Sequence, residues 1–289
     1  NTDLPFVGLH AHSTFSLNDG FGYPQEHQEY AYGNGMNALA LTDHGTCAGL
    51  SYAILNAKKM RDEGKEFKAI LGVEAYFIPD VVEWREIYEE IKQDKKAARA
   101  LKKRESTTVA ETDGSSREKS STLPRYAHLI LFAQNQVGLN NIYSIVSESH
   151  DEKHFYRRPR VDFNLLRKYN EGVICATACL GGIVGREMYS GRDAGLNEEE
   201  IYQNALAKLK IFSDIFGDRF YGELQWNSVP EQHIVNKMVI RASTEIGIRV
   251  ISTADSHYPT QDAWRDREMY KRLGWLSRGT PSWMTEDDM

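Results

Sequence analysis

"GLHAHSTFSLNDG" (residues 8–20) sets two histidines two positions apart and an aspartate seven residues beyond the second. Residues two apart on a pleated strand face the same side, so an extended run over 6–12 would aim His10 and His12 at one object. Asp19 follows in the loop behind them. Two imidazoles and a carboxylate are a metal-ligand combination, but a strand carrying surface histidines would read the same way. The rest of the chain has to supply further donors.

Working outward, β-rich runs recur: "FVGLHAH" (6–12), "ALALTDHG" (38–45), "AILGVEAYFI" (69–78), "AHLILFAQ" (127–134), "GVICATAC" (172–179), "FYGELQ" (220–225) and "RVISTADSHY" (249–258). Each is followed by a helix-like stretch, the alternation of βα units around a parallel sheet. Seven such units predict an α/β barrel. In "NEEEIYQNALAKLKIFSDIFG" Asn197 caps a helix, Glu200 sits at its third position, Ile201, Ala205, Leu209 and Phe212 follow helical spacing, and Gly217 ends it. "VPEQHIVNKMVIRASTEIG" repeats the logic from Pro230 to Gly247 and hands the chain to the last strand.

Residues 80–124 break the rhythm. From Val82 to Glu105 the sequence reads as a charged helix, acidic early and basic late in accord with the helix dipole. "STTVAETDGSSREKSST" then reads as a loop poor in apolar residues. The segment is expected to be an insertion, a solvated helix and linker, within a single domain spanning 1–289.

The bulk composition narrows the classes. The 289 residues are 41% hydrophobic and 26% charged, an ordinary globular balance. No window approaches the roughly 18 consecutive apolar residues of a membrane span, and no leader opens the chain, so no membrane association is expected. Three cysteines, Cys47, Cys175 and Cys179, are no disulfide framework and point to a reducing cytoplasm. A net charge of −6 argues against a broad basic nucleic-acid face. Any polyanion must be held locally, by a few arginines or by bound cations.

The polar residues of the runs are of one chemical type. The first unit offers His10 and His12 with Asp19 behind, the second Asp43 and His44, the third Glu74, the fourth His128 at its beginning, the fifth Cys179, and the seventh Asp255 and His257. In a parallel barrel the carboxyl ends of the strands converge on one mouth, so donors distant in sequence become neighbours. The donors outnumber the needs of one four-coordinate ion, and two or three ions close together clamp a phosphate. Zinc, manganese and iron all suit the mixture. In "HFYRRPRVDF", Arg157, Arg158 and Arg160 beside Phe155 and Tyr156 are candidate substrate contacts, able to pair with phosphates and stack a base. His150 and His154 are four apart in a loop-like stretch and are not assigned a metal.

In order along the chain, "HAHSTFSLNDG", "LALTDHG", "GVEAY", "HLILFAQNQVGLNNI", "ICATACLGG" and "TADSHY" resemble the motifs of the PHP (polymerase and histidinol phosphatase) domain. More narrowly, they resemble the version at the amino end of the bacterial DNA polymerase III alpha subunit. The resemblance covers nearly the whole chain apart from the insertion. It implies a distorted (βα)7 TIM-like barrel with two or three divalent ions at the carboxyl ends of the strands. The implied ligands are His10, His12, Asp19, His44, Glu74, His128, Cys179, Asp255 and His257. Asp43 would orient His44 or its loop, and Glu74 would bridge ions. Members with such a full set are associated with metal-dependent phosphoesterase activity, including 3′-to-5′ exonuclease proofreading. The implied partners are a DNA 3′ end as substrate and polymerase domains or replisome proteins. A histidinol-phosphate-phosphatase-like phosphomonoesterase and a non-catalytic docking module remain the alternatives. The chain ends in "WMTEDDM" soon after the seventh run, so no polymerase active site is expected within it.

Overall fold

The computed structural model describes residues 6–105, 123 and 125–276. Its strands are β1 (Ala38–Leu41), β2 (Lys68–Phe77), β3 (Ala127–Ala133), β4 (Arg160–Val161), β5 (Val173–Ala176), β6 (Phe220–Gln225) and β7 (Arg249–Thr253). The helices are α1 (Pro24–Gly33), α2 (Leu50–Asp62), α3 (Val81–Glu105), α4 (Gln136–Ser149), α5 (Phe163–Lys168), α6 (Ile183–Asp193), α7 (Glu198–Phe216), α8 (Pro230–Ile246) and α9 (Trp264–Leu276). The strands form one sheet in the order β1-β2-β3-β5-β6-β7, with β4 paired to β2 off that path.

Two expectations are corrected. The sheet is not all parallel, because β3 runs antiparallel to both β2 and β5 while the other pairs are parallel. The reversal puts the beginning of β3 at the end of the sheet where its neighbours finish. His128 lies opposite Tyr76 near the end of β2, which explains why this donor opens its run where the others close theirs.

The run 6–12 is not a continuous strand. It makes isolated parallel bridges, Gly8 with Leu39 and Ala11 with Ser256. The amides of Ala40 and Thr42 donate to the carbonyls of Gly8 and Ala11, while the His12 amide donates to Ser256 and the Ser256 amide to His10. Hydrogen bonds shared between two neighbours leave neither side a ladder long enough to count as a strand. The segment nevertheless joins the outer end of β1 to the stretch beyond β7.

The predicted caps are in place. Asn197 and Glu200 form a reciprocal capping box at the start of α7, and α8 begins at Pro230 and ends on Gly247 in the left-handed conformation. Alternate residues of β2, Val73, Ala75 and Phe77, join a buried cluster with Ile142 and Ile145 of α4 and with Leu209 and Phe212 of α7. The intervening residues, Glu74 and Tyr76, therefore face the other side of the sheet. On that side lies a smaller cluster of Ala40, Ile130, Phe132 and Ala176. Burial of each large apolar side chain stabilises by about 1.5–3 kcal/mol, so the helix-covered side is what holds the sheet rigid enough to carry polar groups on its other face.

The 80–124 segment is not solvated throughout. α3 begins with Val81 and Trp84 buried against Ile78, and the Trp84 ring stacks on Tyr88 at 5.0 Å and meets Tyr156 at 4.9 Å. Arg85 donates to the carbonyls of Lys153 and Phe155. The helix is exposed beyond this anchored start, over residues 92–96. The serine- and threonine-rich loop at 106–122 lies outside the described residues.

Candidate metal centre

The turn after His12 is built tightly. A side chain at Gly20 would come within 2.1 Å of the Ser13 carbonyl oxygen, so only glycine lets residues 13–22 fold back on the bridged segment. Here Asp43 acts, chiefly on the turn rather than on the His44 side chain. Its Oδ1 accepts from the Ser13 amide at 2.7 Å and the Ser16 hydroxyl at 2.8 Å, and its Oδ2 accepts from the Ser13 hydroxyl at 2.8 Å. Ser16 Oγ, its proton committed to Asp43, lies 2.9 Å from His12 Nδ1 and accepts that ring's N–H. Asp43 thus orients the His12 side chain by way of the Ser16 hydroxyl. It reaches His44 only through the main chain, where the His44 amide donates to the same Ser16 oxygen at 3.0 Å.

His10 is held by a residue the sequence reading missed. Glu223 of β6 is buried, and its Oε1 accepts from His10 Nδ1 at 2.6 Å and from Thr253 Oγ1 at 2.6 Å. With both Nδ1 atoms protonated toward acceptors, His10 and His12 turn their Nε2 lone pairs to the same spot, 3.1 Å apart. Acceptors behind the ring fix tautomer and aim in this way in metal-binding histidines generally. A signal was present: the sixth run was the one without an assigned donor, and Glu223 is its sole carboxylate.

Around this pair the strand ends contribute the remaining donors. Glu74 Oε1 lies 3.0 Å from His128 Nδ1 and 3.5 Å from His10 Nε2, and its Oε2 lies 2.6 Å from His44 Nδ1 and 3.4 Å from His12 Nε2. Asp255 Oδ1 is 3.2 Å from His10 Nε2 and 3.4 Å from His12 Nε2. Asp19 Oδ2 is 3.2 Å from His44 Nε2 and 3.3 Å from His257 Nε2. Among the described residues, ligand atoms gather in three overlapping sets: His10, His12 and Asp255; His12, His44 and His257; His44, Glu74 and His128. Asp19 and Cys179 stand beside these sets rather than in them, Cys179 Sγ being 3.7 Å from His128 Nδ1.

The backbone is strained in the same neighbourhood. Asn18, Ala178 and Asp255, each at or next to a donor, have positive φ of 64°, 60° and 53°, a conformation that costs non-glycine residues of order 1 kcal/mol or more.

The donor set fits divalent cations. Both oxygens of Glu74, Oδ1 of Asp255 and Nδ1 of His44 are buried without a hydrogen-bond partner, even where an imidazole nitrogen approaches as closely as 2.6 Å. Lone pairs packed against one another need positive charge among them. Burial, with His44 and His257 nearby, pushes the His12 ring down to about 3 and keeps it neutral. Burial would also raise the Glu74 carboxyl, but the imidazoles of His128, His44 and His10 hold it well below the usual carboxylate range. His44 is pushed up to about 10, because Glu74 and Asp19 outweigh the burial that opposes its charge.

The arginine stretch divides. Arg158 lines a cleft at the mouth with Asp19, His44, Tyr76, His128 and Lys271. Arg160 does not reach it, which corrects its assignment as a substrate contact. It is fully buried, its guanidinium 4.1 Å over the Trp84 ring and its Nε bonded to the His154 carbonyl. Arg157 has its guanidinium 5.8 Å from the Tyr156 ring and is absent from the residues lining the cleft. His150 bonds to the Val146 carbonyl and forms no donor cluster with His154. Arg267 of α9, unnoticed in the sequence, donates to Asp19 Oδ1 at 2.6 Å; no spacing or motif marks it.

A helix-covered α/β sheet whose strand ends gather imidazoles and carboxylates around one mouth defines the class of protein. Residues 8–227 match the PHP domain, and the chain belongs to that family. It is 35% identical over 255 residues to the DNA polymerase III subunit alpha of Aquifex aeolicus, covering 88% of this chain and 18% of that protein. The corresponding subunit of Borreliella burgdorferi is 33% identical over 257 residues, covering 89% and 18%. The chain thus spans less than a fifth of the length of these curated relatives. Among solved structures, it is similar to the histidinol phosphate phosphatase of Lactococcus lactis, solved with zinc, L-histidinol and phosphate. That likeness has a TM-score of 0.39 and 12% identity, covering 95% of this chain and 94% of the other. No helix among the described residues is long and apolar enough to cross a membrane.

Proposed function

We propose that this chain is the PHP domain of a DNA polymerase III alpha-like protein and hydrolyses phosphoester bonds, acting as a 3′-to-5′ exonuclease on a DNA 3′ end. The observation that carries the reading is Glu74: a fully buried carboxylate, both oxygens without a hydrogen bond, faced by His10, His12, His44 and His128. In this reading His10, His12, Asp19, His44, Glu74, His128, Cys179, Asp255 and His257 hold two or three divalent ions. The 8–12 segment closes the sheet into a distorted (βα)7 barrel, and the whole chain is one domain working in the cytoplasm with polymerase and replisome proteins.

Bound divalent cations would supply the Lewis acidity that polarises a phosphoester and makes water nucleophilic near neutral pH. The chain's own groups do the rest. Glu223 and Ser16 fix the tautomers of His10 and His12 so that their lone pairs face inward. Glu74, in the set with His44 and His128, also faces His10 and His12 of the other two. Arg158, at the rim, pairs with a substrate phosphate.

The test uses metal-reconstituted protein on an end-labelled primer with a mismatched 3′ terminus, with small phosphorylated metabolites alongside. Wild type and Asp255→Asn are compared in manganese and in zinc. Shortening from the 3′ end that disappears in the variant is expected. Metal-loaded protein that leaves the primer intact overturns the exonuclease, and turnover of the metabolites instead would make it a phosphomonoesterase.

A further inference from the structure

We infer that Arg267 is a positioning residue of the metal centre: it grips Asp19 so that one carboxylate oxygen faces the ions and the other is withheld. The inference rests on the metal-site reading above. It concerns a helix outside the residues matched to the family, which end at 227.

Arg267, Tyr270 and Gly274 are spaced three and four apart on α9 and so share one face. That face is built against the loop carrying Asp19. Arg267 Nη2 donates to Asp19 Oδ1 at 2.6 Å and its Nε donates to the Asp19 carbonyl at 2.8 Å. The same guanidinium therefore holds the side chain and the main chain of one residue. Next door, the Asn18 amide donates to Tyr270 Oη at 3.0 Å, restraining a residue held at a positive φ of 64°. Gly274 permits the close approach, since a side chain there would begin 3.0 Å from Asn18 Oδ1.

The two oxygens of Asp19 consequently have separate tasks. Oδ1 is committed to Arg267, and Oδ2 faces the Nε2 atoms of His44 and His257 at 3.2 and 3.3 Å. A planar guanidinium holds both contacts in one fixed fork, whereas a lysine ammonium, with rotatable donors on a flexible stem, does not lock the two together. Without the fork, the carboxylate is free to rotate, to offer both oxygens or to swing toward solvent. Among the described residues Arg267 has one further carboxylate neighbour, Glu268, 3.5 Å from Nη1, a nitrogen that does not hold Asp19.

The test counts ions rather than turnover. The full 289-residue chain and its Arg267→Gln, Arg267→Lys and Asp19→Asn variants are titrated with Mn2+, bound metal is measured by mass spectrometry after dialysis, and folding is followed by circular dichroism. Loss of an orienting partner typically weakens metal binding about ten- to a hundredfold. Arg267→Gln is expected to lose that much affinity for one ion, the same ion lost in Asp19→Asn, with the remaining ions kept. The double variant should be no worse than Asp19→Asn alone. Arg267→Lys keeps the charge and should fall between wild type and glutamine; it also carries the test if the glutamine variant fails to fold. Wild-type affinity in both Arg267 variants, or an equal loss of every ion, overturns the inference while leaving the metal site standing. A wild-type chain that binds no metal overturns both.

Discussion

His10 Nδ1 and Glu223 Oε1 lie 2.6 Å apart, fully buried, although 213 positions separate them in the chain. The contact ties the first donor-bearing segment to β6 and decides which nitrogen of His10 faces the centre. Glu223→Gln replaces an obligatory acceptor with a group that can also donate, so the ring loses its fixed tautomer. Metal affinity should fall about ten- to a hundredfold with the fold retained, as read by isothermal titration with Mn2+. An unchanged affinity would show that His10 needs no partner behind it.

Glu74→Gln tests the centre of the cluster. The amide removes the charge that faces four imidazoles and offers one oxygen where there were two. Bound metal per chain should drop and phosphoesterase activity should be lost with it. A glutamine protein with full metal content and full activity would overturn the proposed bridging role of Glu74.

Metal removal should destabilise the fold. An ion that binds only the native state at a free concentration of 100 times its dissociation constant adds about 2.7 kcal/mol. Each kcal/mol shifts the melting temperature of a chain this long by roughly 2–4 °C. Calorimetry with Mn2+ and after chelation should therefore differ by several degrees. Coincident melting curves would mean that the cluster does not take up the metal.

The two arginines flanking Pro159 should separate cleanly. Arg158→Ala, at the mouth, should raise KM for a phosphoester and leave stability within about 0.5 kcal/mol. Arg160→Ala should cost of the order of 2 kcal/mol, because its desolvated guanidinium over Trp84 is lost. Denaturant melts beside steady-state kinetics check both; the reverse pattern would return Arg160 to the substrate.

On the other side of the sheet, Phe212→Ala should cost about 3–5 kcal/mol. Its ring lies 4.9 Å from both Phe77 and Phe163 and 5.6 Å from Phe220. Urea unfolding measures the loss, and a cost below about 1 kcal/mol would mean that the cluster repacks around the gap.

Local chemistry was legible in the sequence because it depends on neighbours a few residues away. Asn197 with Glu200, Pro230 and Gly247 mark helix ends through backbone groups within one turn. The β-rich runs announce strands by composition, and the donors they carry, His10, His12, His44, Glu74, His128, Asp255 and His257, are the residues that the fold draws into contact. What sequence could not decide were relations between segments, where direction and depth matter more than residue type. The reversal of β3 depends on which neighbours it pairs with. Arg157, Arg158 and Arg160 are chemically alike in a row, and only packing against α3 buries the last beneath Trp84. The grips of Glu223 on His10 and Arg267 on Asp19 span 213 and 248 positions. No spacing rule reaches so far, and only the tertiary structure brings the acceptor and donor to their partners.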